Sequence, residues 1–118
     1  MSEHCDEESG EDRDRLLQRL TDLESELGEK QVSEVVAVAK ALAHPQRLKL
    51  LAAIGTEEIC VCNLVGVSEL SQPAISHHLN ILARVGLLQR RRKGRFNHYK
   101  ANPELVQQLV AQVQELLN

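Results

Sequence analysis

Cys60 and Cys62 stand one residue apart and are two of the chain's three cysteines. Thiolates are soft ligands, so a close pair favours zinc, copper(I) and similar thiophilic ions. The same pair could form a disulfide or trap a persulfide, the chemistry of a redox sensor. A blander reading makes each cysteine a small packing residue. Thiol catalysis is not expected: no cysteine leads into a phosphate-cradling loop with an arginine six positions on, as an arsenate reductase would need.

About ten residues after the pair comes Ser71-Gln72-Pro73-Ala74-Ile75-Ser76-His77-His78-Leu79. Ser71 is a good N-cap and proline is tolerated in a first helical turn, so a helix is expected to start here. Ile75, Leu79, Leu82 and Val85 form its buried stripe, and Gln72, Ser76, His77, Asn80 and Arg84 lie on the polar side. With the short cysteine-bearing element before it, this reads as a helix-turn-helix. Gln72, Ser76, His77 and Asn80 can donate to or accept from base edges in a DNA major groove. His78 falls between the two sides, with a structural role and a DNA role equally open.

The charge distribution supports a polyanion partner. Residues 1–30 carry eleven acids against four bases, whereas no acid occurs between Leu70 and Pro103. Arg84, Arg90, Arg91, Arg92, Lys93, Arg95 and Lys100 all fall in that acid-free stretch. One basic face is the expected footprint of a nucleic-acid binder. Leu87–Arg92 and Arg95–Lys100 flank Lys93-Gly94, which predicts a two-stranded hairpin with a basic tip. Arg90, Arg91, Arg92, Lys93 and Arg95 would hold phosphates, and the tip could enter a minor groove. Phe96 and Tyr99 are expected to pack this hairpin on the body, and His44 and His98 to be structural.

The remaining elements are helical. Residues 1–12 are polar and acidic and are expected to form a disordered arm. Leu16, Leu20, Leu23 and Leu27 make a short a/d seam from Arg13 to Leu27, ended by Gly28. Val32 to Leu42 is a second helix, and Pro45 opens a third that stops at Gly55. Asn102-Pro103 starts a last helix with Leu105, Val106, Leu109, Val110, Val113, Leu116 and Leu117. So large an apolar face on a terminal helix predicts a homodimer. With no tryptophan, one phenylalanine and one tyrosine, the core must be aliphatic. The fold expected is mainly α: a winged helix-turn-helix over 13–118, with a two-stranded wing and added N- and C-terminal dimerisation helices. No apolar run reaches membrane-spanning length and no signal peptide is evident, so a cytoplasmic protein with reduced thiols is expected.

Glu58-Ile59-Cys60-Val61-Cys62-Asn63-Leu64 resembles the ligand box of the ArsR/SmtB metalloregulators, usually E-L-C-V-C-D-L. The resemblance extends through Ala43-His44-Pro45-Gln46-Arg47-Leu48, the Ser71–Leu79 segment and Gly94-Arg95-Phe96-Asn97-His98-Tyr99, covering roughly residues 32–118. It implies a homodimeric repressor that leaves operator DNA when an inducer binds. Two departures stand out: Asn63 replaces the usual aspartate, and Val65 sits where arsenic sensors often carry a third cysteine. Pro103, Leu105 and Leu116 occupy the positions of the family's other metal site and cannot ligate.

Residues i and i+2 of a regular helix point about 200° apart, so both thiols can hold one ion only if the helix start is already distorted or the ligand distorts it on binding. Arsenic(III) and antimony(III) prefer three thiolates, and the pair supplies two. Cys5, in the acidic arm, is the remaining thiol, and a disordered arm has the reach. In the related cadmium/lead sensors this arm donates thiols across the dimer, which implies Cys5 of one subunit joining Cys60 and Cys62 of the other. His4 could add a fourth ligand for zinc or cadmium. The alternative reading makes Cys5 an incidental residue of the arm, with water or a buffer thiol completing the site.

Overall fold

The computed structural model describes residues 10–117. Its elements are α1 (Gly10–Leu42), α2 (Pro45–Ile54), β1 (Ile59–Cys60), α3 (Val61–Val67), α4 (Gln72–Arg84), β2 (Leu88–Lys93), β3 (Phe96–Ala101) and α5 (Pro103–Leu117). The chain divides into two compact units at the Ser33–Glu34 boundary.

In the first unit α1 begins at Gly10, three residues earlier than the expected start at Arg13. Glu11 and Asp12 sit in its first turn, where carboxylates complement the helix dipole, and Asp12 pairs with Arg15 at 3.3 Å. The expected disordered arm therefore loses residues 10–12 to the helix, and residues 1–9 lie outside the described ones. Gly28 leaves helical geometry at φ 70°, ψ 151°, a conformation open to glycine, so the expected break falls where it was placed. Helix resumes directly after it rather than at Val32. Leu16, Leu17 and Leu20 of the first stretch are exposed.

The second unit is the winged helix-turn-helix. His44 caps α2, its Nδ1 accepting the Gln46 N–H at 3.2 Å, with Pro45 at the first helical position. Arg47 donates to the carbonyls of Ala41 (2.7 Å) and Lys40 (3.2 Å), satisfying the end of α1. Ser71 caps α4 through the Ala74 N–H at 3.2 Å, as its position before Gln72-Pro73 predicts. Ile75, Leu79 and Leu82 of α4 are fully buried among Val38, Leu50, Ile54, Leu64, Leu87 and Tyr99. Apart from that tyrosine and the buried His78, the interior among the described residues is aliphatic.

The sheet is three-stranded, in the order β1-β3-β2, rather than the two-stranded wing expected. The hairpin pairs Leu88↔Ala101 through Lys93↔Phe96, and Gly94 turns it with φ 63°. The added strand β1 contributes Ile59↔Tyr99 and Cys60↔His98. Tyr99 anchors the wing in the core, but Phe96 does not: it lies at the tip, 49% exposed, because its partner Lys93 adjoins the turn. On α5 no residue is fully buried, and Val110, Val113, Leu116 and Leu117 are exposed. Asn102 uses its amide on the Gly86 carbonyl at 3.2 Å. No helix among the described residues is long and apolar enough to cross a membrane.

Candidate thiol site and nucleic-acid interface

The convergence of the two thiols follows from a change of backbone type at Cys60. The chain leaves α2 through Gly55, runs into β1, and begins α3 only at Val61. Cys60 is therefore the extended N-cap of α3 (φ −77°, ψ 137°), and Cys62 lies in the first turn. The helix start is thus already distorted, one of the two arrangements that the i, i+2 spacing allows. The Cys60 sulfur accepts the Cys62 N–H at 3.3 Å, and the two Cα atoms are 5.2 Å apart. The structure joins the sulfurs in a disulfide, where reduced thiols were expected. The extended residue directs its side chain back over the first turn, which brings the pair together. Cys62 is exposed and Cys60 half-buried, so neither is enclosed as a packing residue. Among the described residues no third His, Cys, Asp or Glu joins them in a metal-holding cluster. Cys5 and His4 lie outside those residues.

The thiols are built into the wing's own sheet. Residues directly opposite on neighbouring strands share a face. Cys60 faces His98 on β3, and His98 faces Arg91 on β2, so thiol, imidazole and guanidinium form one row. The row beside it runs Ile59, Tyr99, Arg90, and Arg90 continues onto α4 by donating to Asn80 Oδ1 at 3.1 Å.

Gln72, Ser76, His77, Asn80 and Arg84 are all exposed on α4, opposite its buried stripe. Arg90, Arg91, Arg92, Lys93 and Arg95 are exposed along the hairpin and its turn, with Arg92 Nε on the Gly94 carbonyl at 3.3 Å. The structure thus gathers the candidate DNA residues onto one helix face and one hairpin. It ties Asn80 to Arg90, and it gives Lys93 a partner that the sequence did not reveal. The Lys93 ammonium contacts Glu58 Oε2 at 2.8 Å, across 35 positions of sequence. That hydrogen bond, together with the charges of Lys93, Arg91 and His98, holds the Glu58 carboxyl below the usual range, against a smaller opposing effect of burial. The unforeseen strand β1, which follows Glu58 directly, helps bring it within reach of the wing.

His78 resolves to the inside of α4. It is 9% exposed, its ring centroid is 4.7 Å from that of His44, and its Nδ1 finds no hydrogen-bond partner among the described residues. Burial, then the nearby charges of His44, Arg47 and His77, push its pKa below the ordinary value. The unfolded chain takes up the proton near pH 6.5. Folding stability is therefore full above that pH and falls as pH drops toward the lower folded value. Urea midpoints between pH 7.5 and 5.0 should decline in the wild type and decline less in His78→Asn. Equal slopes in both would remove His78 as the cause.

Comparison with known proteins agrees with this geometry. Residues 44–90 match the family model described as bacterial regulatory protein, arsR family. An arsenic resistance transcriptional regulator of Pseudomonas putida is 45% identical over 71 residues, covering 59% of this chain and 56% of that protein. The chain thus spans little more than half of that relative's length. A cadmium resistance regulatory protein CadC homolog of Staphylococcus aureus is 34% identical, covering 72% of this chain and 71% of its own length. An ArsR-like transcriptional regulator from a Rhodococcus species shares the fold at a TM-score of 0.68 and 24% identity, over 74% of this chain and 82% of that one. The protein belongs to the ArsR family of bacterial regulators, a family of transcription factors rather than enzymes.

Proposed function

We propose that the protein is a homodimeric repressor that holds operator DNA with α4 and the wing and lets go when a thiophilic ion binds Cys60 and Cys62. The carrying observation is that the residue capping α3 is also a ladder residue of the wing sheet. Any ion held by Cys60 and Cys62 therefore pulls on the wing through β3. As(III) or Sb(III) is the favoured inducer, with Cys5 as third thiolate; cadmium, lead or zinc would draw on His4 as well. Relatives named for arsenical and cadmium resistance support this class of ligand. The exposed apolar residues of α5 supply the dimer surface.

The test titrates operator-bound, reduced protein with arsenite, antimonite, cadmium, lead and zinc while fluorescence anisotropy is followed. Arsenite and antimonite should release DNA at the lowest concentrations, and the sulfur count around bound arsenic should drop from three to two in Cys5→Ser. If no ion releases DNA, the reading fails. Operator affinity should fall steeply with salt, with a slope of about −0.9 per phosphate neutralised, and a flat plot would exclude the basic face.

A second reading is favoured by the bonded sulfurs. Two thiols give two electrons and two protons to a peroxide, which leaves as water, and the new disulfide changes operator affinity without any ion. Peroxide-driven release that dithiothreitol reverses, with no response to arsenite, would select it.

A further inference from the structure

We propose that Glu58 is a positioning residue that carries the state of the Cys60–Cys62 thiols to the wing tip by holding or releasing Lys93. The inference rests on the thiol-controlled reading above and names the route within it.

The wing stretch from Leu70 to Pro103 has no carboxylate of its own. Glu58 reaches in from outside, two residues before Cys60, and takes the ammonium of the tip residue Lys93 at 2.8 Å. Both partners keep some solvent contact, Lys93 at 46% and Glu58 at 25% of the side chain. Lys93 therefore retains free N–H directions for a phosphate while Glu58 fixes where it stands.

The strand between Glu58 and the thiols is the movable part. β1 is two residues long and makes two registered pairs, against six between β2 and β3. The hairpin keeps its own ladder whether or not β1 is docked. One of the two β1 pairs is Cys60 itself, so a ligand that repositions Cys60 removes one of the strand's two registered pairs with β3. Glu58 moves with it and Lys93 loses its anchor. The docked and undocked states of β1 are the two arrangements that coupling requires.

The test compares wild type and Glu58→Gln as full-length protein in three states: reduced, arsenite-loaded and oxidised. Lys93 acetylation by an N-hydroxysuccinimide ester, read by peptide mass spectrometry, reports its freedom directly. In the wild type Lys93 should be slow in one thiol state and several-fold faster in another, whereas Glu58→Gln should be fast in all. The arsenite-dependent change in operator Kd should shrink about threefold or more in Glu58→Gln, while arsenite stoichiometry stays at the wild-type value. A merely local stabilising pair would leave that ratio alone. Lys93 labelling equal in all three states of the wild type, or an unchanged ratio in Glu58→Gln, overturns the proposal. If arsenite fails to release DNA yet thiol state still alters Lys93 labelling, the repressor reading falls and the link stands.

Discussion

Serine at position 60 is expected to abolish arsenite-driven release of operator DNA while leaving the reduced protein, in which the Cys60–Cys62 disulfide is open, as stable as before, within about 0.5 kcal/mol. The two roles of Cys60 separate cleanly under this substitution. As a cap, its sulfur accepts the Cys62 N–H at 3.3 Å. A serine hydroxyl does the same with a better acceptor, and serine is among the preferred N-cap residues. As a ligand, the hydroxyl is hard and does not replace a thiolate for a thiophilic ion. Alanine gives the contrast: it loses the ligand and the cap together, and should cost about 1 kcal/mol of stability. Cys62 is exposed, so Cys62→Ser should lose sensing at little structural cost. The readout is the ratio of operator affinities with and without arsenite, ordinarily about 5–150-fold for an allosteric effector and close to one in either serine variant. A Cys60→Ser protein that released DNA at the wild-type arsenite concentration would sink the thiol-site reading, whatever the fate of the DNA face.

What the sequence revealed and what it hid divide along the range of the interactions. The α4 cap, its buried Ile75, Leu79 and Leu82 and the break at Gly28 are written in neighbouring residues and stand where they were read, whereas the hairpin turn falls one residue later than Lys93-Gly94, at Gly94-Arg95, with Lys93 paired to Phe96. The third strand could not be read, because two residues are too few to show the alternation that marks a strand. Missing it hid the extended state of Cys60 and the approach of Glu58 to Lys93, both consequences of pairing with β3. His78 was legible after all. Ile75, His78, Leu79 and Leu82 follow the three-and-four spacing of one helix face, and histidine's polarity obscured the pattern. Phe96 shows the converse error. An aromatic residue suggests packing, but its place in the hairpin register puts it at an exposed tip. Cys5 and His4 stay expectations, since they lie outside the described residues.

Leu79→Ala should cost about 2–5 kcal/mol, set by the cavity left where a fully buried leucine stood. Against a total of about 5–15 kcal/mol for a typical domain, that is enough to leave the variant marginal. The outer face of the same helix predicts the opposite division. Gln72→Ala and Ser76→Ala remove exposed side chains outside the core, so each should shift stability by less than about 0.5 kcal/mol. If these residues read base edges, each loss should weaken operator binding by about 1–3 kcal/mol. Both classes lower DNA binding at 37 °C for different reasons, and temperature tells them apart. Near its stability maximum, at about 10–20 °C, the folded fraction of Leu79→Ala recovers and should bind operator close to wild-type affinity. The outer-face variants are folded throughout and should stay weak at every temperature. Should Gln72→Ala and Ser76→Ala bind operator as wild type does, α4 cannot be the reading helix, and the basic wing alone would have to carry DNA affinity.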